Sequence, residues 1–162
     1  EVGGSAEPYP VGTIARIDEI QRMGKGQTII SATGQIRFRL LHITQNQPYL
    51  EGHLELIFDK DDFLVSKETS QMAQLAITRY VRLMEGLKGG WVRNLVTPCN
   101  PATLSYLIGD ILQISLTRKQ ELLEETSVSK RLEAELDLLA QETCELKKKV
   151  ANEFLVRRTN NN

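Results

Sequence analysis

RMGKGQTII, residues 22–30, admits two readings with opposite consequences. Either the Gly-Lys-Gly at 24–26 cradles a phosphate, which would make the chain a nucleotide enzyme, or it is a turn between two strands. A Walker loop needs a glycine five residues before its Gly-Lys pair and a Ser or Thr directly after the lysine. Here Glu19 and Gly26 occupy those two positions. The loop must also join a strand to a helix, yet β-type sequence lies on both sides. Gly24 and Gly26 are expected to supply the positive φ angles of a tight hairpin.

Working outward, the first 60 residues read as β. The runs are PVGTIARIDEIQRM (10–23), QTIISATG (27–34), QIRFRLLHI (35–43) and PYLEGHLELIF (48–58). Ile36, Phe38 and Leu40 fall on one face, with Arg37 and Arg39 on the other. Leu50, Leu54 and Leu56 are likewise in phase. Gly34-Gln35 and Gln45-Asn46-Gln47-Pro48 are expected to be the separating turns. Strands joined by short turns predict an antiparallel sheet curled into a small barrel.

From about Ser66 the period becomes helical. Met72, Leu75, Ala76, Tyr80, Leu83 and Leu87 recur on one stripe, which Gly86, Gly89 and Gly90 end. Asn100-Pro101 pairs an N-cap with proline at the first helical position. Leu104, Leu107, Ile108, Ile111 and Leu112 form the next stripe. A short helix starts at Ser115 or Thr117, the latter with Gln120 as a capping box, and buries Leu122 and Leu123. The last helix runs from about Val128 to Arg157. Its Leu132, Leu136, Leu139, Thr143, Leu146 and Val150 are spaced four, three, four, three, four, a heptad seam interrupted by Thr143. Such a helix spans roughly 45 Å, against a radius of gyration of about 15 Å for a compact domain of this size. Its far end is expected to project, offering Leu146, Val150 and Phe154 to a partner helix. The domain plan is a β part over 1–60, a helical bundle over 61–127, the long helix over 128–158 and a disordered tail over 159–162.

Composition bounds the function. With 41% hydrophobic and 25% charged residues and a formal net charge of −1, the chain has a globular composition. Charge is evenly spread, so no region advertises nucleic acid or anionic lipid. No apolar run reaches membrane-spanning length. Two distant cysteines, Cys99 and Cys144, make no disulfide framework, which points to a reducing cytoplasm.

Residues that could carry chemistry are sparse. His42 and His53 are the only histidines, eleven positions apart, and only Cys99 and Cys144 could join them, so neither a metal site nor a Cys-His nucleophile is expected. Asp61-Asp62 reads as a solvated strand-to-helix boundary rather than a carboxylate pair. Lys147-Lys148-Lys149 is balanced by Glu142, Glu145 and Glu153 at helix-neighbour spacing. Arg37 and Arg39 flanking Phe38 superficially resemble an RNA-binding strand, but an outer solubilising row fits the neutral charge balance better. Tyr49 and Trp91 are the candidate peptide-contact aromatics. No cofactor is implied.

Six segments in order also resemble a known family. VGTIARI (11–17), ATGQIRFRLL (32–41) and YLEGHLEL (49–56) are similar to the N-terminal substrate-recognition domain of ATP-dependent Lon proteases. PATLSYLIGDIL (101–112), SLTRKQELLE (115–124) and SVSKRLEAELDLL (127–139) are similar to its helical part. The resemblance implies an α+β fold, a PUA-like antiparallel β-barrel followed by a helical bundle. Stand-alone proteins of this domain share the segment order. The family's opening apolar segment, with its Phe-Pro, has no counterpart before Val11, so the barrel is expected to be incomplete. The implied function is non-catalytic binding of exposed apolar segments of unfolded or damaged proteins. The alternatives are self-association, through the last helix or an exposed barrel edge, and PUA-like RNA binding.

Overall fold

A computed structural model describes residues 7–90 and 95–159, without the side chains of Lys25, Asp62 and 153–159. The chain divides into two compact units, one ending at Phe58 and the other beginning at Asp59.

The first unit is a three-stranded antiparallel sheet in the order β1-β2-β3, with β1 at Val11–Arg22, β2 at Thr28–Gln45 and β3 at Glu51–Ile57. Residues 22–30 do form the hairpin turn. A short 3-10 segment, Gly24–Gly26, is closed by Met23 N donating to Gln27 O at 2.8 Å. Only Gly26 has positive φ, at 76°, so one glycine rather than two carries the reversal. Gly34-Gln35 is not a turn. β2 runs straight through it for 18 residues, and the pairing jumps from Ile14↔Ile36 to Ala15↔Gly34. Gln35 is the extra residue of a bulge, which re-aims the strand without ending it. The sheet stays open: among the described residues no strand pairs with the outer edge of β1 or of β3.

The second unit packs four helices: α1 (Lys67–Leu87), α2 (Pro101–Ile111), α3 (Leu116–Glu124) and α4 (Val128–Thr159). Their starts follow side-chain chemistry. Ser66 Oγ accepts from Thr69 N at 3.0 Å, Asn100 Oδ1 from Thr103 N at 2.8 Å, and Ser115 Oγ from Arg118 N at 3.3 Å. Ser115, not Thr117, therefore caps α3. Gly89, at φ 75°, ends α1, with Gly90 N reaching back to Glu85 O.

The core joins Ala73, Ile77, Tyr80 and Val81 of α1, Leu104, Ile108 and Leu112 of α2, and Val128, Leu132 and Leu139 of α4. Met72 and Leu75, expected on the inner stripe of α1, are exposed instead. Tyr80 is buried as expected, but before it the inner stripe runs through Ala73 and Ile77, one to two positions on from Met72 and Leu75. Leu136 and Leu146 of the heptad seam pack against this same core, so the near part of the seam serves the bundle itself. Past Leu146, Lys147, Lys148 and Lys149 are exposed and Val150 is half-buried. The expected tail falls largely on residues 160–162, outside the described set.

Candidate functional site

Two features stand out, one in each unit. In the sheet, strand register gathers apolar side chains onto a single face. Ile14 sits opposite Ile36, Gly12 opposite Phe38, Phe38 opposite Leu56, and Leu40 opposite Leu54. The period of two puts Thr13, Arg37, Arg39 and Glu55 on the reverse face. On β1 the apolar face ends after Ile14, where Arg16 and Asp18 follow on the same face, paired with each other at 2.8 Å and with Thr33 Oγ1 donating to Asp18 Oδ2. The apolar stretch is poorly covered, with Leu54 45% and Leu56 48% exposed.

Two glycines make this face shallow. A Cβ on Gly12 would lie 2.6 Å from Phe38 Cζ, so the far edge of that ring sits over Gly12. A Cβ on Gly52 would meet both the His42 carbonyl oxygen and Leu40 Cδ1 at 2.7 Å. Backbone on one side leaves Ala at 52 no easy escape. Gly52→Ala is expected to destabilise the protein by about 1–3 kcal/mol. A urea titration of the variant checks it, and an unchanged midpoint would show that β3 shifts freely.

The helical unit holds a buried polar network. Arg131, 1% exposed, donates from Nε to Ser105 Oγ at 2.6 Å and from Nη1 to Asp59 Oδ1 and the Glu125 carbonyl, both at 2.8 Å. Its guanidinium also lies over the Tyr106 ring, 4.5 Å from the centroid, while Tyr106 OH donates to Asp59 Oδ2. Ser105 Oγ in turn donates a hydrogen bond to Glu135 Oε1 at 2.9 Å. Burial pushes the Glu135 carboxyl up to about 8, against the opposing pull of the Ser105 hydrogen bond and the Arg131 charge. Arg131 Nη2 and Glu135 Oε2 find no hydrogen-bond partner among the described residues. This cluster ties α2, α4 and the start of the unit together. Apart from those two atoms, its polar groups are occupied with one another.

A second tie sits nearby. Asp61, with φ 53°, accepts from Ser127 Oγ at 2.7 Å, and Lys60 pairs with the segment before α4 through Lys60 N to Thr126 O and Val128 N to Lys60 O. Asp61 is thus a structural acceptor rather than part of a solvated boundary. Between α3 and α4 lies a groove of about 350 Å³, floored by Leu122, Ala134 and Leu138 and rimmed by charges of both signs, Arg118, Glu121, Lys130 and Asp137 among them.

The residues singled out from sequence are scattered. Tyr49 lies just before β3 and is 64% exposed. Trp91 falls outside the described residues, and so does the side chain of Phe154. Leu146 packs on the helical core and Val150 is half-buried. His42 and His53 stack across β2 and β3 with ring centroids 4.7 Å apart. Among the described residues no group of three or more His, Cys, Asp or Glu could hold a metal ion. Arg37 is buried, which corrects its expected place in an outer solubilising row; Arg39 is exposed and faces Glu55 at 3.9 Å. Cys99 and Cys144 are exposed thiols. Among the described residues no helix is long and apolar enough to cross a membrane.

A three-stranded sheet with an apolar stretch on one face, followed along the chain by a helical bundle with a buried polar network, defines an α+β protein. The chain belongs to the ATP-dependent protease La (LON) substrate-binding domain family, whose model matches residues 1–141. It is 29% identical over 139 residues to a Lon protease of Anaeromyxobacter dehalogenans, covering 84% of this chain and 16% of that protein. It is 28% identical over 142 residues to Lon protease 2 of Myxococcus xanthus, covering 84% and 17%. The chain thus spans about a sixth of the length of these relatives. The crystal structure of a Lon N-terminal domain protein from Xanthomonas campestris shares the fold, with a TM-score of 0.58 at 21% identity over 80% of this chain and 68% of that one. The N-terminal domain of a Mycobacterium avium complex Lon protease does so with a TM-score of 0.58 at 20% identity, over 83% and 73%. The α+β reading of the sequence, a PUA-like β part followed by helices, is what these neighbours show. Among the described residues of this chain the β part is a three-stranded sheet.

Proposed function

We propose that this chain is a non-catalytic module that binds exposed apolar segments of unfolded or damaged polypeptides. The observation that carries the reading is the match of residues 1–141 to a substrate-binding domain family. The apolar stretch from Ile14 to Leu56 on the sheet supports it, because apolar burial is non-directional and tolerates many client sequences. Large exposed apolar surface on a folded protein commonly marks an interaction site. The exposed Cys99 and Cys144 favour a reducing compartment such as the cytoplasm.

The test is a titration with an unfolded polypeptide such as reduced casein. A saturable change in Trp91 fluorescence is expected, persisting in high salt because the attraction is not ionic. Absence of any fluorescence or light-scattering change at high casein concentration would refute the reading.

A further inference from the structure

We propose that His42 and His53 form a two-histidine site for a divalent transition-metal cation, with Cu²⁺ as the best fit. The pair lies on the face of the sheet opposite Leu40 and Leu54, and the proposal goes beyond the functional reading above without resting on it. Three observations converge. First, strand register builds the pair. Leu40 sits opposite Leu54 and the next pairing is His42 opposite His53, so Leu41 is an extra residue of β2. In an unshifted register Leu41 would face His53, and His42 would face Gly52 on the other side of the sheet. The bulge re-aims His42 onto the face of His53. Second, Gly52, next to His53, lets the strands approach closely, since a Cβ there would lie 2.7 Å from the His42 carbonyl oxygen. Third, both histidines are exposed and their ring centres are 4.7 Å apart.

That separation fits one shared cation. A metal–nitrogen bond to histidine of about 2.0–2.1 Å, added to the radius of the ring, puts each ring centre about 3.2 Å from the metal. Two such rings have centres about 4.5 Å apart when the bonds meet at a right angle and about 5.2 Å apart at the tetrahedral angle. The observed 4.7 Å is nearer the first, the cis angle of square-planar or tetragonal Cu²⁺ and Ni²⁺ rather than the angle of tetrahedral Zn²⁺. The rings stack at 30° to one another. Rotation about χ2, a broad two-fold torsion in histidine, turns each ring while leaving its centre nearly in place, so one nitrogen of each can be aimed at the cation. Two ligands leave a coordination sphere open, and water takes the remaining positions. By the strand period Glu51 and Glu55 share this face, two positions either side of His53, while Arg39 faces Glu55 at 3.9 Å. The charge beside the pair is therefore acidic on balance, which favours a cation. For one nitrogen site the ordinary order of affinity also puts Cu²⁺ above Ni²⁺ and Zn²⁺.

The test uses the full chain carrying Cys99→Ser and Cys144→Ser, which removes two exposed thiols that compete for metal. Copper(II) chloride is the probe, followed by calorimetric titration and electron paramagnetic resonance. One Cu²⁺ per chain is expected, with a spectrum that shows two coordinated nitrogens, and with Ni²⁺ and Zn²⁺ binding more weakly. His42→Gln and His53→Gln change exposed positions and keep a polar side chain, and far-ultraviolet circular dichroism checks that both fold. Each change alone is expected to lower Cu²⁺ affinity at least tenfold, because either leaves a single imidazole. Saturating Cu²⁺ is expected to raise the urea midpoint of the parent and not of the variants, since the cation binds only the paired strands. The proposal fails if either variant binds Cu²⁺ as tightly as the parent, or if the spectrum shows one nitrogen. One Cu²⁺ shared between two chains would also overturn it, and equal midpoint shifts in parent and variants would place the metal elsewhere.

Discussion

Replacing Arg131 with methionine is expected to lower the unfolding free energy by about 3–5 kcal/mol, the usual cost of removing one partner of a buried ion pair. The reason is geometric. Arg131 is 1% exposed and satisfies Ser105, Asp59 and the Glu125 carbonyl at once, while its guanidinium covers Tyr106. Methionine fills much of the volume but leaves the Asp59 carboxylate without its cation. The Glu125 carbonyl likewise loses a donor. Against a total stability of about 5–15 kcal/mol for a typical domain, such a loss brings the helical unit close to unfolding. Arg131→Lys should fall between the two, since an ammonium keeps the charge but cannot reproduce the planar fork. Urea unfolding of the three proteins measures the effect, and a loss below about 1 kcal/mol for the methionine variant would show the network to be dispensable.

Stability should also fall as pH rises from about 5 to 9, and Glu135 is the cause. Its carboxyl titrates at about 8 in the folded chain, against 4.5 as the ordinary value. Between those values the folded state holds a proton that the unfolded state has released, so raising the pH favours unfolding. The contribution is fully present below about pH 4.5 and lost once pH passes about 8. Its full size is on the order of 5 kcal/mol. Arg131 on α4 and Asp59 are the charged groups in the same network, and Ser105 on α2 donates to the carboxyl. Glu135→Gln keeps an acceptor for Ser105 and cannot ionise. The variant is expected to be more stable than the parent at pH 9, nearly equal to it at pH 5, and to show a flatter pH profile. Parallel profiles for the two proteins would refute this account.

How these features read in the sequence differs by residue. The cap Asn100 was legible, and Ser115 was one of two candidate starts, because a cap is a local contact between a side chain and an amide three positions on; Ser66 marked only where the period changed. The hairpin at 22–30 was legible because its glycine and its flanking β-branched residues are adjacent. Gly34-Gln35 misled for the same reason. A glycine followed by a polar residue has the composition of a turn, and only pairing with β1 shows that the strand continues through a bulge. On α1 the stripe through Met72 and Leu75 was plausible by period, yet helix rotation is set by what packs opposite. The sheet face was half legible: Ile36, Phe38 and Leu40 were in phase, as were Leu54 and Leu56, but nothing local showed which of them pair across the strands.

Local pattern therefore settled the element types, most of their boundaries, the α+β class and the family, since each depends on neighbours within a few positions or on segment order. The placement of charge in the interior was a matter of packing. Arg131 and Glu135, four apart on α4, have the spacing of an exposed helix pair. They are buried because α2 brings Ser105 and Tyr106 against them and the chain at Asp59 closes over the guanidinium, contacts across 26 to 72 residues. Residues so far apart in the chain meet only once the helices have docked, and the desolvation that raises the Glu135 carboxyl exists only after they have.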